Sequence, residues 1–266
     1  MITGRELRKI RRSVARPKYP LDNDLIATAA DADSQGGSIY ATIQNPATHL
    51  IYRYLSEFVV EVLKNQNNKS IKEIRILDWG VGKGFVEYFL DKKGAQVEGY
   101  ETNEFTHKSI WDKYNLKVKT SSNTDLPYKD ETFDAVVGFG VLEHVTYDYE
   151  ALKQINRVLK NDGLFFCFNL PNKYGYMHKV AWWRGVRYHD RLYSRKEVKN
   201  LLKRAGLNVV GRVWYRQLLP KNFISYPMPR KIESLDLFFT SYTPFCIFAT
   251  SIEFVARKQY TYLSIH

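Results

Sequence analysis

The chain has 266 residues, with 40 Lys+Arg against 28 Asp+Glu and a formal charge of +12. That length suits one large α/β domain with a real core, and the ordinary apolar content with a high aromatic share excludes wholesale disorder and fibrous repeats. The basic excess favours anionic partners (nucleic acid, a phosphorylated substrate or an acidic membrane surface) without choosing among them.

The first twenty residues carry Arg5, Arg8, Lys9, Arg11, Arg12, Arg16 and Lys18 against Glu6 alone. They lack an apolar signal core, so they read as a solvated basic arm, with a Ser-poor transit peptide as the weaker reading. Residues 1–45 as a whole read as that arm plus an irregular lead-in, and residues 46–266 as the folded domain. Asn45 can cap a helix that Pro46 opens, with Leu50, Ile51, Tyr54, Leu55, Phe58, Val59, Val62 and Leu63 on one face.

Alternation then begins. Residues 74–77 form a short apolar strand. Residues 85–90 form a helix that Gly94 stops, and 97–100 a strand. A helix spans roughly 105–114, followed by a weak strand at 117–120 and a strong one at 133–139. Ala151, Leu152, Ile155, Val158 and Leu159 make an amphipathic helix ended by Asp162-Gly163, and 164–169 is a strand. This spacing predicts parallel βαβ units in a doubly wound sheet with helices on both faces. Residues 170–193 form a long connection, read as an acceptor-side insertion. Ser194 and Glu197 make a capping box for the next helix, which Gly206 stops. Residues 208–215 and 245–257 read as strands joined by a Pro-rich aromatic linker. Cys167 and Cys246 fall in apolar runs without metal or redox spacing, as small buried hydrophobes of a reducing compartment. No segment reaches ~18 uninterrupted apolar residues. The expected location is cytoplasmic, with peripheral contact at an acidic membrane surface compatible with the charge.

The chemistry concentrates at Ile76-Leu77-Asp78-Trp79-Gly80-Val81-Gly82-Lys83-Gly84. Gly80, Gly82 and Gly84 permit a sharp strand-to-helix turn and close approach of a ligand. A dinucleotide fingerprint needs its third glycine at position 85, which is Phe85. Asp78 would repel a pyrophosphate but attract an ammonium group, so a nicotinamide oxidoreductase is disfavoured. Glu101 ends the second strand about 20 residues on, where a carboxylate accepts ribose hydroxyls; the bland alternative is a solvated strand-end carboxylate.

With these residues, the sequence resembles the class I S-adenosylmethionine-dependent methyltransferases, in a small-molecule branch like that of ubiquinone biosynthesis. The resemblance also rests on Thr124-Asp125-Leu126-Pro127-Tyr128, Phe133-Asp134-Ala135-Val136-Val137, Val141-Leu142-Glu143-His144-Val145 and Asp162-Gly163. It is specific over residues 74–172 and weaker to 257. It implies a Rossmann-like, mostly parallel seven-stranded sheet whose last strand is antiparallel, and S-adenosylmethionine as cofactor. Asp78 and the glycines would face the methionine part and Glu101 the ribose. Ser122 stands where the family commonly has an acidic adenine ligand, so adenine would be held by Ser122, Asn123 or Asp125. Phe139 and Val141 would line the methionine end.

His144 follows the fourth strand and is a candidate general base; its alternative is a histidine that pins the loop. The 170–193 connection adds His189 as a second base candidate and Tyr176, His178 and Tyr188 as acceptor-binding candidates, against a lid packed by its own aromatics. No His/Cys/Asp cluster has metal-ligand spacing in the sequence, so no metal is expected. The tetrad of base-amine methyltransferases is absent, and that position reads Gly138-Phe139-Gly140-Val141. The expected reaction is methyl transfer to a hydroxyl or amine of a small-molecule, glycan-linked or lipid-linked acceptor. A nucleic-acid-directed methyltransferase or RNA-binding relative is the alternative.

Overall fold

The computed structural model describes residues 1–14, 22–28, 46–67, 69–102, 107–121, 125–185, 189, 191–218 and 230–259. They belong to two compact units, Met1–Pro127 and Tyr128–His266.

The first unit opens on a helix where an irregular arm was expected. In α1 (Gly4–Val14), Leu7, Ile10 and Arg11 are buried, and the helix packs on α3 (Pro46–Asn67). Its start is a capping box that basic composition hid: Thr3 N–H donates to Glu6 Oε2 (2.7 Å) and Glu6 N–H to Thr3 Oγ1 (3.3 Å). Residues 23–28 form α2. Leu25 from α2 joins a cluster with Phe85, Tyr88, Phe89 and Ile110, and Tyr88 donates its hydroxyl hydrogen to Asp22 (2.8 Å). The lead-in is therefore anchored on the helices that flank the glycine loop. Asn45 and residues 29–44 lie outside the described residues.

Three parallel strands make this unit's sheet: β1 (Arg75–Trp79), β2 (Gln96–Glu101) and β3 (Val118–Thr120), with β2 between the others. Helices α4 (Phe85–Asp91) and α5 (Lys108–Lys113) make the crossovers. The strand β1 is apolar on both faces, with Ile76 and Leu77 fully buried, the pattern of a covered parallel strand.

In the second unit β4 (Phe133–Phe139) runs parallel to β5 (Leu159–Pro171), with α6 (Asp148–Val158) between them in sequence. The helix stops at Val158, earlier than expected. Leu159 pairs with Phe133 and Leu164 with Ala135, so residues 160–163 bulge out of the ladder, with Asp162 at φ 62°. After β5 come α7 (Tyr176–Trp183), α8 (Arg195–Arg204), β6 (Leu207–Val209), β7 (Trp214–Arg216), α9 (Arg230–Tyr242) and β8 (Ser251–Lys258). The capping box at Ser194 and Glu197 is present. The last strand, β8, is antiparallel to β5 on one side and to β6 and β7 on the other. One expected strand at 208–215 is thus two, interrupted around Gly211 at φ 78°. Part of the expected linker is α9. Residues Pro244–Phe248 wind as a 3-10 turn, so the strand expected from 245 starts at Ser251. Cys167 is buried in β5, whereas Cys246 is half-buried in that turn. Among the described residues no helix is long and apolar enough to cross a membrane.

Candidate active site

The strand β1 carries Asp78 and Trp79 to its carboxyl end, where the chain turns through Gly80, Gly82 and Gly84 at φ 76°, 50° and 81°. Gly80 and Val81 N–H both donate to the Tyr100 carbonyl (2.9 and 3.2 Å), which clamps the loop to β2. Two of these glycines serve different ends. A Cβ at Gly84 would lie 2.3 Å from Leu116 Cδ1 and 3.3 Å from Trp111 Cδ1, so a side chain there must displace the Leu116 side chain as well as hold a positive φ. A Cβ at Gly82 would meet nothing within 4 Å, so the backbone at Gly82 faces open space. Gly82 N–H donates to Glu101 Oε2 (2.9 Å), and its carbonyl accepts from Trp111 Nε1 (2.8 Å). Glu101 Oε1 accepts from Thr102 N–H (2.7 Å) and hydroxyl (3.2 Å). A carboxylate offers about four acceptor positions; three are taken by these bonds, so Glu101 can hold the loop and accept one ribose hydroxyl directly, and a second in exchange for the Thr102 hydroxyl.

Asp78 is fully enclosed (1% exposed). Its Oδ2 accepts from Glu87 N–H (3.1 Å) in the first turn of α4. That role as an internal helix cap was not read from the sequence. Burial pushes its carboxyl well up, and the Glu87 and Glu101 carboxylates push it further. Tyr52 of α3 is held up in turn by burial and by the Asp78 charge. A cluster of carboxylates in low dielectric is relieved by a cation. The residues present therefore fit an ammonium-bearing, phosphate-free ligand with a ribose. Ser122 and Asn123 lie outside the described residues. Asp125 is exposed, and its charge acts on the Tyr100 phenol, which places it near the end of β2.

In the second unit β4 ends at Phe139, half-buried, and Gly140 N–H donates to the Phe168 carbonyl (3.0 Å) at φ 65°. Val141, also half-buried, leads into the 3-10 turn Leu142–His144. Two staples draw the 189–193 segment onto this turn. The Tyr193 hydroxyl lies 3.3 Å from the Leu142 carbonyl and 3.1 Å from the Asp148 carboxylate. The Arg191 guanidinium reaches Asp148 (2.7 Å) and the Thr146 carbonyl (3.1 Å).

The result is a carboxylate between two imidazoles. Glu143 Oε1 lies 4.0 Å from His144 Nε2 and 4.0 Å from His189 Nδ1. The Glu143 side chain is buried, its Oε2 has no hydrogen-bond partner among the described residues, and burial raises its carboxyl to about 7. His144 is exposed and His189 half-buried. The His178 ring meets His189 edge-on at 5.5 Å, but His178 Nε2 donates to the Thr250 carbonyl (2.9 Å), so it holds α7 in place. Tyr176 is half-buried within the field of Asp236, and Tyr188 lies outside the described residues. Ligand atoms of Glu143, His144 and His189 lie within 4.8 Å of one another, a set able to hold a metal ion. Spacing along the chain showed no such set, because residues 143 and 189 are brought together by the tertiary fold. The signal for Glu143 was present in the sequence: it is the one carboxylate in the apolar run Val136-Val137-Gly138-Phe139-Gly140-Val141-Leu142-Glu143-His144-Val145.

A glycine turn after β1, a carboxylate ending β2 and an antiparallel last strand define a mixed α/β, Rossmann-like methyltransferase fold. The model of the methyltransferase domain family matches residues 47–211. The chain belongs to this family and is an enzyme that uses S-adenosylmethionine as methyl donor. An uncharacterised protein of Methanocaldococcus jannaschii is 28% identical over 65% of this chain and 82% of its own. A ubiquinone biosynthesis O-methyltransferase of Roseobacter denitrificans is 28% identical over 54% of this chain and 64% of its own, just under two thirds of that relative. Among solved structures, a possible histamine N-methyltransferase of Thermotoga maritima superposes with TM-score 0.54 at 19% identity, covering 79% of this chain and 92% of the other. That likeness concerns the fold.

Proposed function

We propose that this methyltransferase acts on a hydroxyl oxygen of a small or lipid-linked acceptor, with His144 as the group that takes the proton. The observation that carries this reading is the buried Glu143 carboxylate 4.0 Å from both imidazoles. Bound S-adenosylmethionine supplies an electrophilic methyl group. A hydroxyl becomes a competent nucleophile toward it only as its proton leaves, and a neutral imidazole accepts that proton near neutral pH. Glu143 touches no acceptor; it is a positioning residue that stabilises the imidazolium formed beside it. The relatives also support an oxygen acceptor. Ubiquinone biosynthesis O-methyltransferases recur among the relatives, at 27–28% identity.

The test is His144→Ala with single-turnover kinetics. Methyl transfer should fall by about 10²–10⁴-fold and recover as pH rises and the acceptor ionises unaided. S-adenosylmethionine affinity should stay unchanged. Loss of cofactor affinity in step with rate would overturn the assignment. The 4.8 Å clustering of ligand atoms favours a second reading, in which a divalent ion on Glu143, His144 and His189 lowers the acceptor's pKa instead. Activity abolished by a chelator and restored by a divalent metal would select it; activity indifferent to chelation would select the base.

A further inference from the structure

The large apolar side chains exposed on this protein are not scattered. Among the described residues twelve are exposed, and ten of the twelve lie in segments 174–183 and 235–248 of the second unit. Single exposed apolar residues need no explanation, but a concentration of this kind marks an interaction surface. The two segments adjoin. Asn172 Nδ2, just before α7, donates to the Ile247 and Ala249 carbonyls (2.7 Å each), and Phe239 of α9 meets Phe245 at 6.4 Å.

The composition of this face selects its partner. Trp182 and Trp183 at the end of α7 are 66% and 83% exposed, and Phe238, Tyr242, Phe245 and Phe248 lie on the adjoining segment at 45–60%. On α7 the tryptophans stand beside exposed Lys179 and Arg184, and residues 173–184 contain no acidic residue. We propose that this aromatic face, cationic along α7, docks peripherally on an anionic lipid bilayer. Indole and phenol rings favour the headgroup boundary, where an apolar body meets water, and Lys and Arg add attraction to acidic headgroups. A second copy of the chain is the poorer occupant, because it would oppose like charges on a protein already at +12. Docking through α7 also brings the histidine cluster toward the lipid, since His178 sits on that helix with its ring 5.5 Å from His189. An acceptor dissolved in the bilayer would then reach the site without crossing water. The docking itself does not depend on whether His144 or a metal activates that acceptor.

Flotation of the full chain with vesicles of equal parts phosphatidylcholine and phosphatidylserine tests the proposal, with phosphatidylcholine alone as control. The chain should float with the acidic vesicles, and salt should weaken the association. Trp182→Ala with Trp183→Ala should lower partitioning roughly tenfold. Lys179→Glu with Arg184→Glu should abolish the preference for phosphatidylserine. These side chains project into solvent, so S-adenosylmethionine binding should persist in every variant and report correct folding. Absence of wild-type flotation, or undiminished flotation of the double tryptophan variant, would overturn the proposal. So would sedimentation of the wild type as a dimer that the tryptophan substitutions dissociate.

Discussion

Glu143→Gln should stabilise the protein at alkaline pH while impairing it as a catalyst. The carboxyl is raised from its ordinary 4.5 to about 7, almost entirely by burial. At about 1.4 kcal/mol per tenfold change in proton affinity, a charged Glu143 costs the folded state about 3 kcal/mol. The folded protein holds this proton more tightly than the unfolded chain does. Stability is therefore highest below the ordinary carboxylate value and falls as pH rises from 4.5 to about 7. Glutamine keeps the shape and removes the charge. It should match wild type near pH ~4 and exceed it by up to ~3 kcal/mol near pH ~8. The titratable groups facing Glu143 are His144, His189 and Cys167. Glu87, also raised to about 7 by burial, bends both stability curves alike, so the difference between variant and wild type isolates Glu143. Urea unfolding across this pH range measures it. A glutamine variant as destabilised at pH ~8 as at pH ~4 would refute the argument that burial of charge dominates here. Methyl transfer should fall in the same variant, the usual sign that a site stores strain for function.

The glycine loop gives a paired test. Gly84→Ala must displace Leu116 and adopt a positive φ, so thermal melting should show a loss of roughly 2–4 kcal/mol. Gly82→Ala meets no protein atom; it should cost only about 1–2 kcal/mol of stability, yet calorimetry should show a much larger relative loss of S-adenosylmethionine affinity. If Gly82→Ala bound the cofactor normally, the ligand would not approach that face. Glu101→Ala should weaken S-adenosylmethionine by roughly 1–3 kcal/mol through unpaired ribose hydroxyls and a loosened Gly82; unchanged affinity in the same calorimetric titration would move the ribose contact elsewhere.

Local pattern made much of this protein legible. The apolar strands near 74–77, 97–100 and 133–139, the stops at Gly94 and Gly206 and the capping box at Ser194 and Glu197 are nearest-neighbour physics, written within a few residues, and the structure has them; Asp162-Gly163, read as a helix stop, lies in β5 instead. The resemblance in order and spacing of the 76–84, 101, 124–128 and 141–145 motifs implied the cofactor, and the parallel pairing of β1 with β2 sets Asp78 and Glu101 near the carboxyl ends of adjacent strands. Basic composition misled at α1, since Thr3 and Glu6 cap a helix whose Leu7 and Ile10 find a core on α3. The 3-10 turn at Pro244 and the break at Gly211 depend on how β8 is paired, which no local run encodes. Asp78 could be assigned an electrostatic preference from its place before the glycines, but its bond to Glu87 N–H required the strand and helix to be set against each other. Glu143 and His189 are separated along the chain and are brought together by the tertiary fold, where Tyr193 bonds the Leu142 carbonyl and Arg191 pairs with Asp148. Sequence supplied the ionisable groups; tertiary structure, by burying the Glu143 carboxylate, decided its proton affinity.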